Sequence, residues 1–209
     1  MQIVEATQAL AQRYAAEIPD LVWSTGPASY EYIFTSRDLF DALVSRSWLQ
    51  PETLFAWDAT RLAVEDDELL GIEIGFEGPQ FRERQRTLGP AWADLLAQGA
   101  FTESDVAQII ANSDHASWLN PMIQPGTQYV HALAVKPTQR GKRIGALLLQ
   151  NAMQRGRDAG HQRFQLDVLS DNPAVEFYRS QGLELLVQSR APIPEAHGVP
   201  PENRMGCAL

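Results

Sequence analysis

The chain has 209 residues and a formal net charge of −9 at pH 7, with 17 lysines and arginines against 26 aspartates and glutamates. Its hydrophobic content of 44% and charged content of 21% are typical of a soluble globular protein, and we expect a single domain over residues 1–209. The acidic balance argues against nucleic acid as the main partner, because contacts to phosphates need a basic surface.

The cysteine content and the distribution of apolar residues predict a cytoplasmic protein. The single cysteine, Cys207, excludes an intrachain disulfide and fits a reducing compartment. The N-terminal residues lack the basic segment and apolar core of a secretion signal. No apolar run approaches the ~20 residues that a membrane span needs. Either a monomer or a homodimer is compatible with the sequence.

The first part of the chain predicts helices. Residues 3–18 carry apolar side chains at helical spacing and are expected to form a helix that Pro19 ends. A second helix is predicted over about residues 37–48, where Ser36 or Thr35 can act as the N-cap.

Two strands and a helical segment are predicted next. Residues 55–65 and 69–76 are expected to pair as a hairpin. The segment from about 77 to 127 is predicted to be a helical insertion, with one helix that starts at Pro90 and another that starts after the capping sequence at Thr102. The insertion either adds to the core or forms a lid that shapes a binding pocket, and the residues favour both equally.

Residues 128–151 carry the strongest pattern in the chain, which is a strand, a basic loop with glycines and a helix. The strand is apolar on both faces, as a strand buried on both sides requires, and Pro137 ends it. The helix that follows is predicted to run to about residue 158, with Gly160 as its left-handed C-cap.

The loop between this strand and helix has the properties of a phosphate-binding site. The first amides of a helix have no intrahelical partner and carry partial positive charge, so a glycine-containing loop that leads into a helix favours anions. Lys136, Arg140, Lys142 and Arg143 add four positive charges within eight residues of an acidic chain. A bound polyanion explains this cluster, and a solvated basic turn is the alternative.

A second strand–helix–strand pattern follows. Asn172 and a following proline signal the start of a short helix, and Gly182 signals its end. Residues 183–189 are predicted to form a strand and residues 191–201 a proline-rich loop, and residues 204–209 are expected to form the closing strand.

Together the two patterns resemble the acyl-CoA-binding core of the GNAT superfamily of acetyltransferases. Leu133-Ala134-Val135 matches the central strand of that family. The segment from Arg140 to Gly145 matches its Arg/Gln-x-x-Gly-x-Gly/Ala loop, with Arg143 in place of a glycine. Residues 172–183 match the second family motif, N-x-x-A-x-x-F/Y-Y-x-x-x-G-F, with one apolar substitution at the last position.

The resemblance implies an α+β fold, in a three-layer α/β arrangement, whose mixed central sheet of six to seven strands is flanked by helices. The acetyl-CoA-binding core is then about 128–189, preceded by the helical insertion. The implied activity is acetyl transfer from acetyl-CoA to the primary amine of a small molecule, such as an aralkylamine or an amino-acid-like compound. Acetylation of a protein N-terminus or lysine, and non-catalytic acyl-CoA sensing, are the alternatives.

The resemblance also implies which residues bind acetyl-CoA. The backbone of the central strand pairs with the pantetheine arm, the N–H of Val135 donates to the thioester carbonyl, and the loop amides hold the pyrophosphate. Asn172 lies beside the pantetheine, although capping its own helix explains it equally well. The predicted cofactor-binding residues are Leu133, Ala134, Val135, Arg140, Gly141, Lys142, Arg143, Ile144, Gly145, Ala146, Asn172 and Tyr178. No metal site is predicted, because the spacing of the histidines supports none.

Three side chains are candidates for proton transfer. Tyr178 occupies the tyrosine position of the family motif and is the candidate general acid, because a phenol with a pKa near 10 keeps its proton at pH 7. His131 stands in a His-x-Leu-Ala-Val arrangement similar to that of some aralkylamine-acetylating members, and it is one candidate base. Glu73, on the hairpin, is its rival. Each residue also has a structural interpretation, as a core tyrosine, a buried histidine or a carboxylate that faces water.

Overall fold

The computed structural model describes residues 1–209, with a seven-stranded sheet and helices on both of its faces. The strands are β1 (Gln2–Glu5), β2 (Thr60–Glu65), β3 (Glu68–Glu77), β4 (Thr127–Val135), β5 (Arg163–Leu169), β6 (Glu184–Ser189) and β7 (Glu202–Ala208). The α-helices are α1 (Gln8–Tyr14), α2 (Ile18–Trp23), α3 (Pro27–Phe34), α4 (Arg37–Trp48), α5 (Gln80–Arg86), α6 (Gly89–Ala97), α7 (Glu103–Ala116), α8 (Ile144–Asp158), α9 (Ala174–Ser180) and α10 (Pro192–Ala196). None of these helices combines the length and the apolar composition needed to cross a bilayer.

The strand order is β1-β2-β3-β4-β5-β7-β6, and only β4 and β5 run parallel. This arrangement confirms the predicted mixed sheet, the β2–β3 hairpin and the helical insertion, which forms α5, α6 and α7 between β3 and β4. β4 and β5 pair at only four positions, from Thr127 opposite Arg163 to Val130 opposite Leu166. Beyond that point the two strands are unpaired, which leaves a cleft in the middle of the sheet.

Helix ends follow the local signals. The hydroxyl of Ser36 accepts a hydrogen bond from the Leu39 N–H at 3.3 Å, so the predicted cap of α4 is confirmed. At the start of α7, Thr102 and Asp105 form a capping box in which each side chain accepts from the backbone of the other. Because these bonds are local, they could be predicted without knowledge of the tertiary structure.

The prediction for the N-terminus was wrong in part. Residues 2–5 form an edge strand, in which Ile3 pairs with Ala63 and Val4 with Leu62 of β2. Pro19 lies in the first turn of α2 and does not end a helix. The first turn tolerates proline, because the N–H that proline lacks would have no intrahelical partner there.

The core is divided between the two faces of the sheet. On one face the largest cluster joins the helices of the first half and of the insertion to side chains such as Ile72, Ile74 and Tyr129. On the other face α8 and α9 pack on side chains such as Val130 and Leu166. The cleft between β4 and β5 therefore opens between two well-packed layers.

Candidate active site

A β-bulge in β4 places His131 next to the cleft. Ile74 pairs with Ala132 and the next residue of β3, Gly75, pairs with Val130, so His131 is the extra residue. The His131 ring lies 5.4 Å from that of Phe55 and 5.6 Å from that of Phe81, between ring centroids. Bulges re-aim side chains in this way, and here the imidazole points to the face of the sheet that carries the insertion.

The backbone of β4 presents hydrogen-bond donors to the cleft. The N–H of Lys136 donates to the carbonyl of Leu70 at 2.9 Å on the β3 side. Because hydrogen-bonded pairs alternate along an antiparallel ladder, the N–H groups of Leu133 and Val135 point away from β3, towards β5. β5 does not pair with this part of β4. These amides are therefore free to bind an extended ligand.

The end of the loop before α8 and the first turn of that helix contain six backbone N–H groups, from residues 141–146, that donate to no acceptor in the protein. Gly141 has φ 80° and Arg143 has φ 63°, so both lie in the left-handed region. A glycine adopts this conformation without strain and an arginine does not, which explains the glycine that the family prefers at the position of Arg143. Arg143 therefore adopts the left-handed backbone conformation for which the motif uses a glycine, and the shape of the loop is kept.

The predicted phosphate-binding side chains do not all face the same way. Arg140 and Arg143 line the large cavity that adjoins the loop, whereas Lys142 does not. The ammonium of Lys142 instead donates to Gln139 Oε1 at 2.7 Å. The remaining predicted loop residues, Gly141, Ile144, Gly145 and Ala146, also line the cavity.

This cavity has a volume of about 1260 Å³ and extends from the loop, along the cleft, to a group of aromatic side chains. We call its far end the aromatic half and define it by Tyr30, Phe55, Phe81, Tyr129 and His131, which all line the cavity. Their rings are linked, since Tyr30 lies 6.5 Å from Phe55 and Phe81 lies 5.8 Å from Tyr129, between centroids. One continuous space thus joins free backbone amides to an apolar pocket.

His131 is neutral in this setting. Its Nε2 atom is buried and has no hydrogen-bond partner, although the ring itself lines the cavity. Burial alone lowers the pKa of His131 to about 4. The imidazole is therefore unprotonated at pH 7 and able to accept a proton.

The lowered pKa of His131 predicts how the stability of the protein depends on pH. Between pH 6.5 and a pH of about 4 the unfolded chain binds a proton at His131 that the folded protein does not bind. The contribution of His131 to stability is therefore lost as the pH falls through that window. We expect the free energy of unfolding of the wild type, relative to that of His131→Gln, to fall by about 1 kcal/mol between pH 7.5 and pH 5.5.

Urea denaturation of both proteins at the two pH values measures this difference. His115→Gln is the control, because His115 is exposed on α7 and should show no such change relative to the wild type. A pH-independent difference between the wild type and His131→Gln would contradict the assigned environment.

Tyr178, on α9, reaches the cavity from the other layer. Its side chain is buried, with 7% exposure, and it lines the cavity near the cleft residues Leu133 and Asn172. Burial raises the pKa of Tyr178 to about 12, so the phenol keeps its proton at neutral pH. Its only role in the fold is packing, because the hydroxyl is not used in any hydrogen bond of α9.

Asn172 lies at the start of α9 and lines the cavity. Its Oδ1 accepts a hydrogen bond from the N–H of Ala174 at 2.9 Å, which caps the start of α9. The residue also lines the cavity beside Tyr178.

The structure does not bring Glu73 to this site. The carboxylate is fully buried against α8, where Oε2 accepts a hydrogen bond from Arg155 Nη2 at 2.8 Å, and it does not line the cavity. Burial raises the pKa of Glu73, while the charge of Arg155 opposes that rise. The alternation of β3 points Glu73 to the face opposite Ile72 and Ile74. We therefore assign it an ion pair and not the role of a base.

Sequence reasoning missed a polar cluster in the wall of the aromatic half. Arg204 of β7 binds both oxygens of Asp167 on β5, at 2.8 and 2.6 Å. The Tyr129 hydroxyl donates to Asp167 at 3.0 Å, and the Asn120 amide donates to both Asp167 and Glu202. These five residues come from four separate parts of the chain, since only Glu202 and Arg204 share a strand, so no local motif could have identified them.

With the geometry established, known proteins can be compared. A profile of the Acetyltransferase (GNAT) family matches residues 28–183, which is well over half of the chain. A search of curated proteins found no match.

Solved structures share the fold at low identity. An acetyltransferase of 18% identity covers 100% of both chains with a TM-score of 0.68. An N-acetyltransferase from Staphylococcus aureus Mu50 is 12% identical over 99% of this chain and 100% of that one, with a TM-score of 0.71. The PaiA N-acetyltransferase from Thermoplasma acidophilum, in complex with coenzyme A, is 14% identical over 100% and 98% of the two chains, with a TM-score of 0.57.

The family profile spans the central strand β4, the loop before α8 and the helix α9 that carries Tyr178, and the structural matches extend over the whole chain. The chain therefore belongs to the GNAT family of acetyltransferases.

Proposed function

We propose that the protein transfers the acetyl group of acetyl-CoA to the primary amine of a small molecule, by direct attack in a ternary complex. The observation that carries this proposal is the single cavity that joins the free amides of residues 141–146 to the aromatic half. Donor and acceptor can then be held at the same time on either side of the β4–β5 cleft.

The donor is held mainly by backbone groups. The free amides of residues 141–146 suit the pyrophosphate of acetyl-CoA, and the positive end of α8 adds to their attraction for anions. Arg140 and Arg143 add charge from within the cavity. The amides of Leu133 and Val135 suit the pantetheine arm and the thioester carbonyl, whose oxygen becomes negative as the amine attacks.

The chemistry requires two proton transfers. The amine nitrogen attacks the thioester carbonyl carbon, a C–N bond forms, and the C–S bond breaks. The proton that the nitrogen loses passes to His131, directly or through water, and Tyr178 donates its proton to the departing thiolate. At pH 7 the imidazole is neutral and has a free nitrogen to accept a proton, and the phenol is protonated and has one to donate.

The acceptor pocket favours a small molecule with an apolar or aromatic body. Its aromatic half is lined by rings from α3, α5 and β4, and α7 adds Ile109 and Ile110. A protein substrate would need an open groove for its extended backbone, whereas helices of the insertion lie over this pocket. An aralkylamine fits it best among the acceptors predicted from the sequence.

Steady-state release of the CoA thiol tests the proposal. We expect turnover with acetyl-CoA and benzylamine, and much slower turnover with a peptide that has a free N-terminus and a lysine. With S-acetylpantetheine as donor, which lacks the phosphates, the donor KM should rise by at least about tenfold.

Two variants serve as matched controls for the donor site. Arg140→Gln should raise the KM for acetyl-CoA several-fold, and Lys142→Gln should not, because Arg140 lines the cavity and Lys142 does not. Turnover with the peptide as acceptor, but not with benzylamine, would indicate a protein acetyltransferase. Binding of acetyl-CoA without thiol release from any acceptor would indicate a sensor.

A further inference from the structure

Glu202 contributes a carboxylate to the cavity that none of the steps above uses. In the ladder between β5 and β7, Leu169 pairs with Glu202 and Asp167 pairs with Arg204. Side chains two residues apart in a strand share a face of the sheet. Glu202 therefore projects from the same face as Arg204, which is the face of the aromatic half.

The charge of Glu202 has no partner. Asp167 is neutralised by its bidentate contact with Arg204. The side chains of Asp167 and Arg204 are 3% and 5% exposed, respectively. Glu202 forms no salt bridge, and its one side-chain hydrogen bond is from Asn120 to Oε2 at 3.1 Å. Its other oxygen, Oε1, has no hydrogen-bond partner in the protein and is not sealed off from the cavity. The wall of the aromatic half thus holds one carboxyl group that no ion pair of its own neutralises.

Other charged residues that line the cavity do not provide this compensation. Arg82 and Arg86 of α5 are exposed to solvent, as are Asp114 and Asp171. Arg140 and Arg143 belong to the loop at the opposite end. Burial, and then the nearby charge of Asp167, raise the pKa of Glu202 to about 8, while the charge of Arg204 and the hydrogen bond from Asn120 oppose that rise. A cationic ligand would relieve this cost by stabilising the ionised form.

A second, independent observation indicates a polar ligand in the same half. The Nε2 atom of His131 is buried, without a hydrogen-bond partner, in a ring that lines the cavity. A buried polar atom left unpaired costs stability, so a partner supplied by a ligand is expected.

A nitrogen that pairs with Glu202 does not suit the acetylation step itself. A nitrogen must lose its proton before it attacks, whereas an ion pair with a carboxylate stabilises the protonated form. In addition, β7 lies two strands away from β4, which carries His131. At the usual strand spacing this separation is on the order of 10 Å.

Building on the proposed function, we propose that Glu202 binds a second, non-reacting cationic nitrogen of the acceptor. The substrate is then an amine that carries another ammonium or guanidinium group on an apolar or aromatic body. One nitrogen lies near His131 and is acetylated, while the other remains charged and fixes the orientation of the molecule.

Two probes that share one body test this inference. Benzylamine and 1,4-bis(aminomethyl)benzene differ by a single aminomethyl group. We expect the wild type to have a kcat/KM for the diamine at least about tenfold above that for benzylamine, more than the twofold that two equivalent amines give. Glu202→Gln should lower the diamine value by about 10- to 100-fold, mainly through KM, because a charge-assisted hydrogen bond is lost. Its value for benzylamine should change less than about threefold.

The control is Glu184→Gln, which removes the same charge from an exposed position on β6. It should leave both kcat/KM values unchanged. The same loss for both amines in Glu202→Gln would overturn the proposal, because Glu202 would then act on the reacting nitrogen or on the fold. The proposal would also be overturned if Glu184→Gln lowered the kcat/KM for the diamine as much as Glu202→Gln does.

A binding measurement separates this inference from the proposed function. Calorimetric titration of the CoA-saturated protein with 1,4-bis(aminomethyl)benzene should show a Kd at least about tenfold weaker in Glu202→Gln than in the wild type. If this difference appears without turnover, the small-molecule acetylation proposal fails and the cation site stands. Equal Kd values in the two proteins would overturn the cation site, whatever the turnover.

Discussion

Tyr178→Phe is expected to lower kcat by about 10²- to 10⁴-fold, which is the usual effect of removing a positioned general acid. The ring and its packing remain, because the variant loses only the hydroxyl of a residue that lines the cavity. The effect should appear in kcat and not in the affinity for acetyl-CoA, since the proton moves only as the C–S bond breaks. Steady-state kinetics with acetyl-CoA, together with calorimetric titration of the cofactor, measures both.

The effect should shrink with an acyl donor whose thiol is more acidic, because that leaving group needs less protonation. Tyr14→Phe is the matched control, since the Tyr14 hydroxyl donates to the Asp67 carbonyl at 3.0 Å outside the cavity. Its kcat should be that of the wild type. If Tyr178→Phe turned over at nearly the wild-type rate under conditions in which the chemical step limits that rate, Tyr178 would not be the general acid. A loss explained wholly by weaker cofactor binding would make Tyr178 part of the pocket wall.

Arg204→Met is expected to lower the free energy of unfolding by about 3–5 kcal/mol, because breaking a buried ion pair leaves an uncompensated charge. The Asp167 side chain is 3% exposed, and after the substitution it would keep only hydrogen bonds from Tyr129 and Asn120. Urea denaturation measures the loss. The double variant Asp167→Leu/Arg204→Met should recover part of it, since both charges are then absent.

The control for this prediction is Arg13→Met. Arg13 pairs with Asp67 at 2.9 Å, but the two side chains are 46% and 80% exposed. Solvent screens such pairs, so the expected loss is much smaller than that of Arg204→Met. Similar losses in Arg13→Met and Arg204→Met would contradict the view that burial of Asp167 makes the difference.

Features that depend on neighbours in the chain could be predicted well. The strand–loop–helix of residues 128–151, the caps of α4 and α7 and the stop at Gly160 all appear in the structure, where Gly160 has φ 77°. Each follows from hydrogen bonds or backbone angles within a few residues. The short edge strand at residues 2–5 was missed, because only its partner β2 makes those residues a strand.

The helix α5 shows a second limit. Its sequence is rich in charge and reads as a solvated segment, yet Phe81 is buried in the core. Arg84 binds Asp58 at 2.9 Å with a side chain only 12% exposed. A charged residue that is buried with a distant partner gives no periodic apolar pattern for a sequence-based prediction to use.

The amino-acid sequence alone determined the family, the basic loop with glycines before α8 and the position of Tyr178, because these depend on residue types at short, fixed spacings. The tertiary structure alone decided which side chains share the cavity. Strand register points Glu73 towards Arg155, the bulge turns His131 to the aromatic half, and the β5–β7 ladder brings Glu202 there. These outcomes depend on pairing between strands far apart in the chain, and a shift of one residue in that pairing moves a side chain to the other face.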